Sequence, residues 1–338
     1  MKRINQIAKK SILICTAICA AALLGGCAPQ KTDFPQETPE TPEILTETGS
    51  PGSSLESGTA VLESASSETD LEQSASGETT AAEPPAQVVA DWSGYFGEMN
   101  GAAVVYEPDK NRFRIYNQEL ADTRRSPCST FKIISSLVGL ETGVISSEDS
   151  TRKWSGETFW NEDWNRDISF DDAFRTSCVW YFRQVIDDIG KEAIETALEK
   201  LRYGNQDISD WEGIQNTNNS NRALTGFWIE SSLKISPREQ AEVMERIFGR
   251  GSGYSEETLL RLEQVMLLSE QPVEGIRIYG KTGMGKDRGV TVDAWYTGFA
   301  DVKDTRVYFC VYLGESPGAD VTSAKAREIA VQILQEEN

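Results

Sequence analysis

Pro127-Cys128-Ser129-Thr130-Phe131-Lys132-Ile133-Ile134-Ser135-Ser136-Leu137-Val138-Gly139-Leu140 reads as the opening of a buried helix that carries its chemistry in the first turn. Pro127 suits a helix start, and Phe131, Ile134, Leu137, Val138 and Leu140 recur at helical spacing up to the breakers Gly139 and Gly143. Residues three apart share a helical face, so the Ser129 hydroxyl and the Lys132 amine are neighbours there. About 150 positions further on, Lys281-Thr282-Gly283 ends a strand-like run and supplies a cation, a hydroxyl and a flexible backbone. The two stretches together read as an acyl-transfer site built on serine and lysine.

The chain contains no histidine. A Ser-His-Asp relay, a Cys-His pair, a His-rich zinc site and the HExxH metalloprotease helix are therefore excluded. A serine hydroxyl is a poor nucleophile without a base. Lys132 can serve only if uncharged, and burial beside Phe131 disfavours the ammonium form.

Outward from these motifs the chain changes character. Lys2, Arg3, Lys9 and Lys10 precede an apolar run from Ile12 to Leu24 and then Leu24-Gly25-Gly26-Cys27, the pattern of an export signal too short to span a bilayer. Its ending is similar to a bacterial lipobox, which assigns residues 1–26 to a lipoprotein signal peptide and makes Cys27 the lipid-modified N-terminus. The expected location is the outer face of the cell membrane, held there by this lipid anchor. Residues 27–90 are rich in Glu, Ser, Thr, Pro and Gly and read as a disordered acidic linker. With the leader at +4 and the linker at −11, the total charge of −20 leaves −13 on residues 91–338. An acidic domain disfavours nucleic acid as a partner.

Residues 91–338 hold all eight tryptophans and are long enough for one substantial core. Residues 102–117 read as a two-stranded hairpin around Pro108-Asp109. Ser169, Ser236 and Ser255 read as N-caps of helices in a helical, aromatic middle, the first helix continuing through Ser177, Val179 and Phe182. Residues 277–280, 290–300 and 305–314 read as strands, and Ser323–Glu336 as a closing helix. The expected fold is an α/β domain of the α+β type: a central antiparallel sheet built from both chain ends, flanked by helices, with an inserted mainly helical lobe. Cys128, Cys178 and Cys310 remain as thiols; a Cys128–Cys178 disulfide and two small buried thiols are both open readings.

Ser129-x-x-Lys132, Ser177-Cys178-Val179, Tyr203-Gly204-Asn205, Phe227-Trp228-Ile229-Glu230-Ser231-Ser232-Leu233-Lys234-Ile235-Ser236 and Lys281-Thr282-Gly283 occur in this order. Here the sequence resembles the class D β-lactamases and the related β-lactam sensor domains, within the penicillin-binding serine acyltransferases, over roughly residues 91 to 335. The resemblance implies a β-lactamase/transpeptidase-like fold, a β-lactam substrate and β-lactam resistance. It implies that Ser129 is the nucleophile and that Lys132, carboxylated by CO2 or bicarbonate, is the general base. It further implies that Ser177 hands a proton to the β-lactam nitrogen, that the Trp228 indole N–H holds the carbamate and that Val179 shapes the pocket over it. Lys281 and Thr282 would bind the substrate carboxylate beside Gly283, and the N–H groups of Ser129 and Met284 would form the oxyanion hole in a strained loop after Gly283. Tyr203-Gly204-Asn205 would wall the cleft. The family's substrate-binding arginine falls among Arg288, Arg306 and Arg327. No metal and no other cofactor is expected.

Three other readings compete. A sensor domain would be acylated and stay so, but in such receptors the second motif typically ends in Asn where this chain has Val179. A penicillin-binding transpeptidase or carboxypeptidase also commonly carries Asn there. A non-catalytic lipoprotein with a decayed site conflicts with the presence of every reactive side chain.

Overall fold

The structure, a computed structural model, describes residues 83–146, 148–269 and 274–336. The signal peptide, Cys27 and most of the linker lie outside the described residues. Six strands form one sheet: β1 (Ala86–Val89), β2 (Gly101–Glu107), β3 (Arg112–Tyr116), β4 (Ile276–Asp287), β5 (Val290–Val302) and β6 (Thr305–Gly314). Their order is β1-β3-β2-β6-β5-β4, so both ends of the chain do build one sheet.

Two details differ from the sequence reading. The sheet starts inside the stretch assigned to the linker, because Ala86-Gln87-Val88-Val89 is a short β-branched run that adds to the edge of β3. That pairing is parallel, whereas all the others are antiparallel, so the sheet is mixed at this edge. β4 is also far longer than residues 277–280, since its pairing with β5 continues through Lys281, Thr282, Gly283 and on to Asp287.

Side chains alternate across the sheet with the period of two that a pleated strand dictates. Ala102 and Val104 of β2 face a large helical core, while Ala103 and Val105 face a smaller one. The smaller core lies under the short helix α1 (Ser93–Phe96) and the C-terminal helix that closes the chain. On the other face α2 (Gln118–Ala121) leads to a tight 3-10 turn, Cys128–Phe131, which runs into α3 (Lys132–Glu141). α3 is buried from Lys132 to Gly139, polar residues included.

The helical lobe follows. α4 (Phe170–Arg175) begins where the Ser169 side chain accepts the Asp172 N–H, as its N-cap pattern predicts. The helix does not continue through Ser177: that residue sits at φ 58°, and a new helix, α5 (Val179–Ile189), starts two residues later. α6 (Lys191–Leu201) completes this lobe. α7 (Pro237–Phe248) has the full capping box of Ser236 and Glu239 and lays Val243, Met244, Ile247 and Phe248 on the sheet. Each such apolar side chain contributes roughly 1.5–3 kcal/mol on full burial. α8 (Glu256–Met266) is capped by Ser255, and α9 (Ser323–Gln335) closes the second face.

Candidate active site

The turn that carries Ser129 is pressed against β4. A methyl group added at Gly283 would lie 2.9 Å from the Pro127 carbonyl oxygen and 3.2 Å from the Thr130 nitrogen, and one at Gly285 would lie 2.9 Å from Cys128 Sγ. Only glycine permits this approach. The Thr130 hydroxyl donates to the Pro127 carbonyl (2.7 Å) and accepts from the Gln240 amide (2.9 Å), so α7 also braces the turn.

Lys132 Nζ donates to Ser129 Oγ at 2.9 Å, the contact that the S-x-x-K spacing predicts. Lys132 is 1% exposed, with its Nζ 5.4 Å from the centroid of Phe182. Burial pulls the amine down to about 8, against the opposing influence of Cys178 and Cys128. Lys281 Nζ donates to Ser177 Oγ (3.1 Å) and to Thr282 Oγ1 (3.3 Å). Burial, and secondarily the nearby Lys132, hold this second amine well below the usual lysine range. Two buried amines thus each meet a serine hydroxyl. Among the described residues neither has a carboxylate ion-pair partner.

Ser129, Lys132, Ser177, Lys281 and Thr282 are therefore brought together. Val179 lines the same cleft as Ser129 and Met284, a cavity of about 510 Å³ whose walls include Trp160, Trp164, Leu224 and Ile229. Trp228 is fully buried, stacked 6.1 Å from Phe131, and its indole N–H has no acceptor among the described residues. A buried orphan donor is costly and calls for an explanation. It fits a site made to receive a further oxygen atom, as does the depressed amine of Lys132.

Three non-glycine residues around the cleft take left-handed backbone angles: Cys128 (φ 50°), Ser177 (φ 58°) and Glu230 (φ 53°). Such strain collects at functional sites. Cys128, Cys178 and Cys310 are free, buried thiols, so the disulfide reading is not what the structure shows.

Two further expectations are corrected. No loop follows Gly283, because the β4–β5 ladder passes straight through it; Met284 is a strand residue, 42% exposed. Tyr203-Gly204-Asn205 does not wall the cleft. Tyr203 is buried edge-on against Phe131, and the Asn205 side chain donates to Ser232 O (2.9 Å) and accepts from Lys234 N (2.8 Å). This motif pins the Trp228-bearing segment from behind.

Of the three arginines, Arg306 is engaged with Asp301 and Glu263 and Arg288 with Asp287. Arg327 of α9 lines a 310 Å³ groove together with Lys281 and Thr282. The Trp160–Trp164 wall and the work of Glu230 are what sequence reasoning missed; of these only Glu230 lay in a segment already singled out.

A family model for the penicillin-binding protein transpeptidase domain matches residues 100–335. The probable β-lactamase YbxI of Bacillus subtilis is 31% identical over 240 residues, covering 71% of this chain and 81% of that protein. The regulatory protein BlaR1 of Bacillus licheniformis is 28% identical over 247 residues, 72% of this chain but 38% of the regulator, so the chain spans well under half of that relative. The solved C-terminal penicillin-receptor domain of the same regulator superposes with a TM-score of 0.66 at 26% identity, covering 76% of this chain and 99% of that one. A class D β-lactamase structure from Bacillus subtilis superposes with a TM-score of 0.62 at 29% identity, over 73% of this chain and 95% of that one. Serine and lysine paired on one buried turn, on this sheet and in this company, place the chain in the penicillin-binding transpeptidase-domain family, in its class D serine β-lactamase branch.

Proposed function

We propose that this protein hydrolyses β-lactams through an acyl-enzyme on Ser129. The observation that carries the reading is the 2.9 Å contact between Ser129 Oγ and the buried Lys132 amine, whose depressed pKa of about 8 leaves part of it uncharged near neutral pH. A neutral amine at hydrogen-bond distance can take the hydroxyl proton as oxygen attacks the lactam carbonyl. The new Ser129 O–C bond forms and the ring C–N bond breaks. Ser177, whose oxygen is held by Lys281, is free to direct its own proton to the departing nitrogen and to be reprotonated from the lysine side. Lys281, Thr282 and Arg327 line the groove that would take the substrate carboxylate. The N–H groups of Ser129 and Met284 stabilise the oxyanion, where loss of one donor typically costs about 3 kcal/mol.

The residues of this site also fit carboxylation of Lys132 by dissolved CO2: a buried amine that is partly uncharged, the Phe182 ring beside it, and the Trp228 N–H with no acceptor among the described residues. Carried on Lys132, a carbamate would supply an anionic oxygen base for the deacylating water as well as for Ser129. We further propose that residues 1–26 are removed and that Cys27 anchors the enzyme by lipid to the outer face of the cell membrane; globomycin-type inhibition of processing should slow its gel mobility.

A second reading rests on the likeness to the BlaR1 receptor domain: a sensor acylated once and left so. The two separate cleanly with a chromogenic β-lactam and the purified protein, with and without bicarbonate. Sustained turnover is expected, and Lys132→Ala should stop after at most one equivalent. A single stoichiometric burst by the wild type would instead identify a sensor.

A further inference from the structure

β4 is one of the two edge strands of the sheet. Leu268 N–H donates to the Ile278 carbonyl from outside the sheet at 2.9 Å, so Ile278 turns its polar groups to the open edge. Strand alternation puts Gly280, Thr282 and Met284 on that same edge, which leaves the Met284 N–H without a partner in β5. Directly beyond it the ladder falters: Gly285 opposes Asp293 but Lys286 opposes Thr291, and Val292 is skipped. The ladder resumes as Lys286–Thr291 and Asp287–Val290, so a bulge sits in the strand right beside the oxyanion donor.

Glu230 grips the strand at this bulge. Its Oε1 accepts the Lys286 N–H at 2.6 Å, and its Oε2 accepts from the Asn218 amide at 2.5 Å. Asn218 in turn donates to the Lys286 carbonyl and accepts the Arg288 N–H at 2.9 Å. The backbone of Glu230 reaches the other way: its N–H donates to Ser126 Oγ at 2.8 Å. Ser126 Oγ donates to the Trp228 carbonyl (3.2 Å), which also accepts the Cys128 N–H (2.9 Å). One residue thus grips both the segment that leads into Ser129 and the strand end that follows Met284. It does so at φ 53°, an unfavourable angle for a residue with a side chain. Among the described residues its carboxylate forms no ion pair, so both oxygens serve amide donors.

We propose that Glu230 is a positioning residue that fixes the separation of the Ser129 and Met284 N–H groups, and so shapes the site for the tetrahedral transition state. This rests on the β-lactam reading above. A clamp that served stability alone would lower the melting temperature without altering the preference for a tetrahedral ligand over a planar one.

The test compares full-length wild type with Glu230→Ala, Glu230→Gln and Asn218→Ala. It measures acylation kcat and KM for a chromogenic cephalosporin, affinity for an arylboronic acid that becomes tetrahedral on Ser129, and melting temperature. Glu230→Ala is expected to lose about 100-fold in acylation kcat and a parallel factor in boronate affinity, with KM within about twofold. Glu230→Gln keeps an oxygen for the Lys286 N–H and should recover to within about fivefold of wild type. Asn218→Ala leaves Glu230 in place and should show the same pattern at smaller amplitude, which carries the test if Glu230→Ala unfolds. Unchanged boronate affinity in the folded variants, or a Gln variant as impaired as the Ala one, overturns the proposal. A wild type that is never acylated would sink the β-lactam reading and this role with it; acylation unaffected by the variants sinks this role alone.

Discussion

Lys132 unites the chemistry of the site with the stability of the fold. Its amine falls from the ordinary 10.5 to about 8 because the charged form is desolvated. Below pH 8 folded and unfolded chains both carry the proton and the fold bears the full penalty. Between about pH 8 and 10.5 the unfolded chain holds more protons, so this group makes stability rise with pH. In CO2-free buffer at pH 7, Lys132→Met should therefore be more stable than wild type by about 3 kcal/mol, with the gap closing above pH 8. Denaturant titrations at pH 7 and 9.5 check it; a gap that does not narrow contradicts the depressed amine. The same titration predicts that more dissolved CO2 is needed for half-maximal turnover as pH falls through about 8. Trp228→Phe keeps the ring packed on Phe131 but removes the orphan N–H. It should decay from turnover into a burst that extra bicarbonate restores, visible in progress curves.

The elements divide into those that local sequence specifies and those that need the whole sheet. Ser169, Ser236 and Ser255 were legible as caps because a cap is a local bargain between one hydroxyl and one N–H. Ser236→Ala should cost about 1 kcal/mol by denaturant titration, since it dissolves the capping box of α7. The hairpin of β2 and β3 was legible for the same reason. Less legible was the true length of β4: its glycines argue against a strand locally, and only the approach of the Ser129 turn explains them. The break at Ser177 was likewise hidden, because Phe174 and Phe182 keep helical spacing across it. Reactive residues could be named from their motifs, whereas Glu230 and Asn218 could not: their work is done by geometry that meets across distant segments.

The molecule as a whole closes its sheet with β1, which the composition of the preceding linker concealed. Its four residues are exposed, yet they pair with Arg112–Ile115, and Asn111 accepts the Ala86 N–H through its carbonyl. A chain of residues 83–338 should melt within about 1 °C of full length, while one starting at residue 91 should melt several degrees lower by losing this edge. Differential scanning calorimetry decides, and equal melting of the two truncations would make β1 dispensable. The three thiols inside this fold have a consequence of another kind. Burial raises each of them, Cys178 to about 11, and only a thiolate reacts readily with an electrophile. Among the described residues an alkylating agent would find no reactive thiol while the domain stays closed. The rate at which iodoacetamide marks Cys178 then becomes a built-in stopwatch for how often the enzyme opens.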